Sequence, residues 1–286
     1  MLQYTMRFTV LVENESRRPE LSAEHGISLW VQTAEANVLF DTGASSAFAD
    51  NADRLGISID QADFLVLSHA HADHTGGLRT FFDRNSHAPV FVGPGITTER
   101  FSVRDSGTRA IGMDRELYER HRNRFYEVSN TLRPIDGVGL SRVQHRPHPV
   151  PAGNKSLLRE YEGGTDADPF EEELFMWVEE SDGIRVVTGC SHSGIVNIVE
   201  AAAAYGTLVS VVGGFHLNGE APQDVRRIAH LLSSVANAPR AHESDVSTSV
   251  PAVYTGHCTG REAFGILKEE LGSRVYYAAT GLAAEA

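Results

Sequence analysis

Cysteine is scarce in this sequence, which has only Cys190 and Cys258 among its 286 residues. Two cysteines in a chain of this length do not make a disulfide-held scaffold, so the fold must rest on an apolar core. Hydrophobic residues make up 41% of the chain, which is typical of an ordinary globular protein. Each cysteine lies within two residues of a histidine. This placement suggests a site, although two buried small side chains would give the same pattern.

Positive charge is also in short supply. Lys and Arg total 25 against 38 Asp and Glu, which gives a formal net charge of -13. Because binding to nucleic acid relies on cations that neutralise phosphates, we expect no nucleic-acid partner. Long apolar runs are missing as well, since the best candidate, residues 195–208, is interrupted by Asn197, Glu200 and Gly206. The N-terminus lacks the pattern of a signal peptide, so we expect a cytoplasmic protein with no membrane partner.

Strand-like and helix-like segments alternate along most of the chain. The sequence predicts strands within 1–12 and at 27–31, 37–40, 63–68, 89–92, 174–179, 183–188, 207–212 and 253–255, and helices at 47–55, from 76, at 195–205, 222–235 and 261–271. This alternation is typical of an α/β layered fold, and we expect one domain over residues 1–286.

Residues 96–168 differ from the rest because they are rich in arginine and show little periodicity. They predict a partly irregular cover over one end of the fold, with a short helix within 114–125. Such a cover would favour an anionic substrate. A solvated arginine-rich surface without a binding role is the alternative.

Polar side chains directly follow several predicted strands. Asp41, His69, His192, His216 and His257 each lie in a short turn that contains glycine or serine. Because functional side chains in layered α/β folds gather at strand ends, we expect these residues to converge.

Residues 69–74, which read HAHADH, carry the strongest signal. His69 and His71, one residue apart in an extended turn, can point the same way and bind one metal ion. Asp73 and His74 begin a new turn and face a second position. Imidazole and carboxylate ligands suit zinc, iron and manganese. The motif therefore predicts two divalent metal ions, with zinc as the first choice and iron or manganese as alternatives.

Four ligands cannot fill two metal sites, so further ligands must come from elsewhere in the chain. His192 and His257 are the candidates, since each sits in a glycine-bearing turn after a strand. His216 would bind metal, contact substrate, donate a proton or serve as a core histidine. Asp41 would accept a hydrogen bond from a ligand imidazole and fix its tautomer, or would simply form its turn.

The motif and its neighbouring segments resemble a known family. Residues 69–74 resemble the HxHxDH signature of the metallo-β-lactamase superfamily. Together with residues 39–43, 188–197, 213–217 and 256–260, they are similar to a branch of metal-dependent hydrolases that includes 7,8-dihydropterin-6-yl-methyl-4-(β-D-ribofuranosyl)aminobenzene 5′-phosphate synthases. The resemblance implies an αββα sandwich. It also implies that His69 and His71 bind one metal, and that Asp73, His74 and His257 bind the other.

One position departs from the broad pattern of the superfamily. Many members end a strand with Gly-Asp and use that Asp to bridge both metals, whereas this chain has Gly189-Cys190 there. Either the Cys190 thiolate replaces the bridging carboxylate, or His192 supplies the missing coordination.

The activity implied by the resemblance is metal-dependent hydrolysis. A metal-activated water would attack an ester, lactone, thioester or phosphoester of a small, anionic molecule. Asp73 would orient the nucleophile as well as bind metal, and His216 would donate a proton or hold an anionic group. The alternatives are the aromatic-group transfer to a phosphoribosyl carbon that the branch name implies, redox chemistry at iron, and a metal-stabilised binding protein without turnover. The expected partner is a small-molecule substrate, and a homo-oligomer is compatible with the sequence.

Overall fold

The computed structural model describes residues 5–236 and 251–286. The helices are α1 (Ala47–Leu55), α2 (Ala72–Thr75), α3 (Leu78–Arg84), α4 (Arg115–Arg120), α5 (Ile195–Ala202), α6 (Pro222–Ala236) and α7 (Arg261–Leu271). Among the described residues, no helix has the length and apolar character needed to cross a bilayer.

The strands are β1 (Arg7–Val12), β2 (Ser28–Gln32), β3 (Asn37–Phe40), β4 (Phe64–Val66), β5 (Val90–Val92), β6 (Arg100–Arg104), β7 (Gly107–Ala110), β8 (Phe125–Glu127), β9 (Thr131–Ile135), β10 (Val138–Arg142), β11 (Leu157–Tyr161), β12 (Gly164–Ala167), β13 (Leu174–Glu180), β14 (Gly183–Thr188), β15 (Leu208–Gly214), β16 (Ala252–Gly256), β17 (Val275–Tyr277) and β18 (Ala283–Glu285). β1 lies within the first predicted strand, of which residues 1–4 fall outside the described part.

Two seven-stranded sheets form the centre of the fold. The first has the order β18-β1-β2-β3-β4-β5-β8, and the second has the order β17-β16-β15-β14-β13-β10-β9. β3, β4 and β5 are parallel neighbours, as are β14, β15 and β16. Parallel neighbouring strands have their carboxyl ends at the same edge of a sheet. The loops after β3 and β4 therefore lie together, and so do the loops after β14, β15 and β16.

The apolar side chains form three layers of core. One cluster fills the space between the sheets, with Phe8 and Phe40 from the first sheet and Met176 and Val212 from the second. A second cluster joins the outer face of the first sheet to α1 and α3. A third joins the outer face of the second sheet to α5, α6 and α7. The result is the αββα sandwich that the resemblance implied, and strands covered on both faces explain the unbroken apolar runs.

Helix α5 is shorter than the sequence indicates. It ends at Ala202 instead of continuing to Tyr205. The Tyr205 ring stacks on Trp177, with 4.2 Å between ring centroids, and its hydroxyl lies 3.0 Å from the Thr131 hydroxyl. We attribute the early end to these contacts, which draw the chain away from the helical path. By contrast, α1 and α7 have the predicted bounds.

The prediction of irregular structure for residues 96–168 needs correction. This segment contains strands β6 to β12, and four of them form a third sheet in the order β12-β11-β6-β7. Within it, α4 covers only part of the helix expected in 114–125. All residues of β7 and β12 are exposed. A strand with no buried face shows no alternation of polar and apolar residues, so its sequence carries no periodic signal.

A buried ionic group joins the third sheet to the sandwich. Arg100 begins β6, and its guanidinium lies 2.6 Å from Asp168 Oδ2 and 3.0 Å from Glu172 Oε2. All three side chains are buried. Burial and, to a smaller extent, the neighbouring Asp168 raise the pKa of the Glu172 carboxyl to about 7, despite the attraction of Arg100.

This raised pKa predicts a pH-dependent stability that Glu172→Gln removes. The carboxyl binds its proton more tightly in the folded chain than in the unfolded chain. Its contribution to stability is therefore fully present below about pH 4.5 and is lost as pH rises to about 7. We expect wild type to lose up to about 3 kcal/mol relative to the variant across this window. Urea unfolding of both proteins at several pH values checks this, and a constant difference would contradict it.

Candidate metal centre

The predicted site residues follow the ends of five strands and lie at one edge of the sandwich. Asp41 follows β3, the HAHADH motif follows β4, and the candidate ligands at 190–192, 216 and 257 follow β14, β15 and β16. Asp41, Ser191, His216 and His257 have positive φ angles of 57°, 60°, 51° and 50°. Non-glycine residues rarely adopt this left-handed conformation, and its presence at adjacent strand ends is typical of functional sites.

The first candidate metal position is formed by His69, His71 and His192. One ligand atom from each lies within 4.8 Å of the others, and all three residues are buried. His69 Nε2 and His71 Nδ1 lie 3.0 Å apart. This is close to the separation of two nitrogens that share a zinc ion with bonds of about 2.0–2.1 Å. The structure thus brings His192 together with the two histidines of the motif, where it would supply a third ligand.

The second candidate position is formed by Asp73, His74 and His257, whose ligand atoms also lie within 4.8 Å of one another. Asp73 Oδ2 lies 3.8 Å from His74 Nε2 and 3.4 Å from His257 Nε2. The division of ligands between two positions is thus the one that the motif predicted. The metal-binding role itself stays a prediction.

Cys190 lies beside both positions. Its Sγ is 3.1 Å from His74 Nε2, and it groups with His69 and His74 within 4.8 Å. Cys190 also groups with His192 and His216, and with His257 and Cys258. A side chain that reaches ligands of both groups stands where a bridging ligand would stand.

Asp41 makes the hydrogen bond to a motif imidazole that the sequence predicted. His74 Nδ1 donates to Asp41 Oδ2 at 2.7 Å. Ser68 donates its backbone N–H to Oδ1 at 2.7 Å and its hydroxyl to Oδ2 at 2.6 Å. Asp41 is completely buried. The contact fixes a proton on Nδ1 of His74 and leaves Nε2 free to face the site.

Two asparagines orient His192 and His257. The sequence analysis did not single out either asparagine. His192 Nδ1 donates to Asn154 Oδ1, and His257 Nδ1 donates to Asn14 Oδ1, both at 2.8 Å. Asn14 lies two residues after the end of β1, so the strand-end pattern that revealed Asp41 would have revealed it too. Asn154 lies in the arginine-rich segment and has no comparable sequence signal.

Two buried glutamates, also missed, hold the loops that carry these histidines. Glu173 accepts the backbone N–H groups of His192 and Ser193, each at 2.6 Å. Glu13 accepts the backbone N–H of His257 and the hydroxyl of Tyr277. Each carboxylate holds the backbone of one loop in place. The histidine on that loop therefore has one orientation in the site.

The residues present fit divalent metal ions. Among the described residues, Nε2 of His192 and Nε2 of His257 have no hydrogen-bond partner although both atoms are buried. A buried ring nitrogen without a partner is costly unless it binds an ion. Burial also lowers the pKa of His71 to about 3 and holds the pKa of His69 and of His192 well below the usual value. These imidazoles are therefore neutral, as metal ligands must be.

Asn154→Ala tests this orientation. The variant removes the acceptor of His192 Nδ1–H, so the ring can turn and change tautomer. Loss of such a partner lowers metal affinity by about 10–100-fold. Competition with a chromogenic chelator measures the affinity. Asn218→Ala is the matched control, since Asn218 lines the same cavity without an orienting bond to a candidate ligand. Equal affinities in the two variants would contradict the assignment.

A cavity of about 890 Å³ opens above the two metal positions. Its wall includes His216, whose ring centroid is 4.2 Å from that of His192 and whose buried Nδ1 has no partner among the described residues. His25 also lines it, with Nε2 3.4 Å from Asp73 Oδ2. The cavity is large enough for a small organic molecule.

The family of the chain follows from comparison with known proteins. The sequence model of the Metallo-beta-lactamase superfamily matches residues 24–200, so the chain belongs to this superfamily. The fold and the two-position cluster at its strand ends agree with this membership.

The individual proteins that resemble this chain are each less than 30% identical to it. A protein from Methanocaldococcus jannaschii named 7,8-dihydropterin-6-methyl-4-(beta-D-ribofuranosyl)-aminobenzene-5'-phosphate synthase is 26% identical over 264 residues, which cover 87% of this chain and 85% of that protein. A solved structure of a metal-dependent hydrolase of the beta-lactamase superfamily has a TM-score of 0.81 and 29% identity, covering 98% of this chain and 99% of the other. A metallo-beta-lactamase fold protein from Bacillus subtilis has a TM-score of 0.54 at 14% identity, covering 99% and 100%, and supports the fold alone.

Proposed function

We propose that this protein is a metal-dependent hydrolase that acts on an ester, lactone, thioester or phosphoester of a small anionic molecule. The observation that carries the proposal is the pair of three-residue clusters at the strand ends, with buried and unpartnered ring nitrogens facing the cavity. The superfamily and the similar metal-dependent hydrolase support it.

His69, His71 and His192 would hold one divalent ion, and Asp73, His74 and His257 the other. When bound, the ions supply a water of lowered pKa and polarise the substrate oxygen under attack. We favour zinc because histidine, carboxylate and thiolate together suit it, and iron and manganese are the alternatives.

Other groups around the ions would orient the attacking water, donate a proton and exclude bulk water. Asp73 Oδ2, within 3.4 Å of both His257 Nε2 and His25 Nε2, would orient the attacking water. His216 lies on the cavity wall with an unpartnered Nδ1 and would donate a proton to the leaving group. The third sheet would cover the substrate and exclude bulk water.

We further propose that Cys190, which groups with residues of both positions, would help to hold the ions as a thiolate ligand. Cobalt reports this directly, since a cobalt–thiolate bond produces a charge-transfer absorption band that nitrogen and oxygen ligands do not give. We expect the band in the cobalt-loaded wild type and its loss in Cys190→Ser. Cys258→Ser is the matched control and should keep the band. A band that survives in Cys190→Ser, or that disappears only in Cys258→Ser, would show that Cys190 is not the ligand.

The name of the archaeal relative supports one second candidate, a transferase that joins an aromatic group to a phosphoribosyl carbon. The two activities differ in their requirements. A hydrolase needs only water as co-substrate, whereas the transferase needs a phosphoribosyl donor and releases pyrophosphate.

A panel assay on the zinc-loaded protein tests the proposal. We expect hydrolysis of at least one of four classes, namely carboxylic esters, lactones, thioesters and phosphoesters, and its loss on removal of metal by a chelator. Pyrophosphate release that depends on a phosphoribosyl donor would favour the transferase. Inertness in every assay, together with tight binding of a small molecule, would leave a metal-stabilised binding protein.

A further inference from the structure

Arginines of residues 96–168 fall into three groups by their partners. Acidic side chains pair with Arg100, Arg115, Arg120, Arg122, Arg133 and Arg159. Backbone carbonyls accept from Arg124, Arg142 and Arg146. Within the described part of the chain, Arg104 and Arg109 have neither kind of partner. These two arginines are also the two of this segment that line the cavity above the metal positions.

The register of the third sheet explains why Arg104 and Arg109 share a face. In the β6–β7 hairpin, Ser102 pairs with Arg109, and Arg104 pairs with Gly107. Paired residues in an antiparallel ladder project to the same side, as do residues two apart on one strand. Ser102, Arg104 and Arg109 therefore lie on one face of the hairpin, and all three line the cavity.

The charge of the whole chain makes this pair significant. A net charge of -13 repels an anionic ligand unless positive charge is concentrated near its site. Arg261 also lines the cavity, but Glu15 neutralises it. Two guanidinium groups without counter-ions, which line the same cavity as the candidate ligands, supply that concentration. Their planar donors match the oxygens of a phosphate.

We propose that Arg104 and Arg109 bind a phosphate monoester group of the substrate, remote from the bond that reacts at the metals. This assignment rests on the proposed function for the site as a whole, and it makes the β6–β7 hairpin the element that determines specificity. Unphosphorylated analogues would reach the metals but bind weakly.

Calorimetric titration of the zinc-loaded protein tests the assignment with two probes, 4-phosphonobutanoate and butanoate. The two share a carboxylate, and only the first carries a phosphonate. We expect the phosphonate to tighten binding to wild type by tenfold or more. Each of Arg104→Ala and Arg109→Ala should weaken binding of 4-phosphonobutanoate about tenfold, because a charge-assisted hydrogen bond is lost. Binding of butanoate should not change.

Two further variants test the hydrogen-bond geometry and the location of the site. Arg104→Lys with Arg109→Lys keeps the charge but loses the bidentate geometry, so it should recover part of the affinity. Arg122→Ala removes an exposed arginine of the same segment that does not line the cavity, and it should bind like wild type. An unchanged preference for the phosphonate in a protein that carries both Arg104→Ala and Arg109→Ala would overturn the assignment. Binding that follows this pattern in a protein inert in every hydrolase assay would retain the arginine site and reject the proposed function.

Discussion

His71→Ala is expected to lose metal from the first position and, with it, hydrolytic activity. Its ring belongs to the group formed with His69 and His192, which would lose one of its three histidines. Loss of an outer partner of a ligand costs about 10–100-fold, so loss of the ligand itself should lower activity by more than that. Elemental analysis of wild type and variant, purified in parallel, should find about two metal ions per wild-type chain and a sharply reduced content in the variant.

The matched control for this experiment is His87→Ala, which removes an exposed histidine outside the candidate groups. It should keep the metal content and activity of wild type. Two ions per chain in His71→Ala would show that His71 is not a ligand. No metal in any of the three proteins after reconstitution would reject the catalytic proposal altogether.

Asp41→Asn should disable the second position while leaving the fold in place. Asparagine has the size of aspartate and tolerates the positive φ at residue 41. Its oxygen can still accept the Ser68 N–H, but its NH₂ group then faces Nδ1 of His74. That ring nitrogen must accept instead of donate, which moves the proton to Nε2, the atom that faces the metal position. An aspartate-to-asparagine change that imposes the wrong tautomer lowers kcat about 10⁴-fold in a serine protease.

Metal affinity at the second position measures the effect, and we expect a loss of at least about 100-fold. Asp50→Asn removes an exposed carboxylate from α1 and serves as the charge-matched control. Circular dichroism should give the same spectrum for both variants. Wild-type affinity in Asp41→Asn would mean that Asp41 only shapes its turn.

Metal loading should also release protons from the second position. Burial lowers the pKa of His74, but the carboxylates of Asp41 and Asp73 outweigh burial and raise it to about 9. In the metal-free protein His74 is therefore an imidazolium at neutral pH. An ion must displace the Nε2 proton, while the Nδ1 proton stays on its bond to Asp41.

The local sequence determined the parts of this protein that depend on contacts between near neighbours. Buried strands such as β4 appear as apolar runs, and α1 ends at Leu55, just before Gly56, which adopts φ 73°. The HAHADH motif places four side chains within one short loop, so two metal positions could be predicted without knowledge of the fold. The strand-end pattern correctly gathered His192, His216 and His257.

Only the tertiary structure decided the features that join distant segments. Asn154 meets His192 across 38 residues, and Cys190 meets His74 across 116. Two strands of the third sheet, β7 and β12, are exposed along their whole length and show no periodicity, so the sequence carries no signal of their pairing. The partners of the arginines likewise depend on which carboxylates the fold brings near. Sequence fixes which groups can bind a metal or an anion, because this is chemistry of single side chains. Which of them remain unpaired and face one cavity is decided by packing, because it depends on distances between residues far apart in the chain.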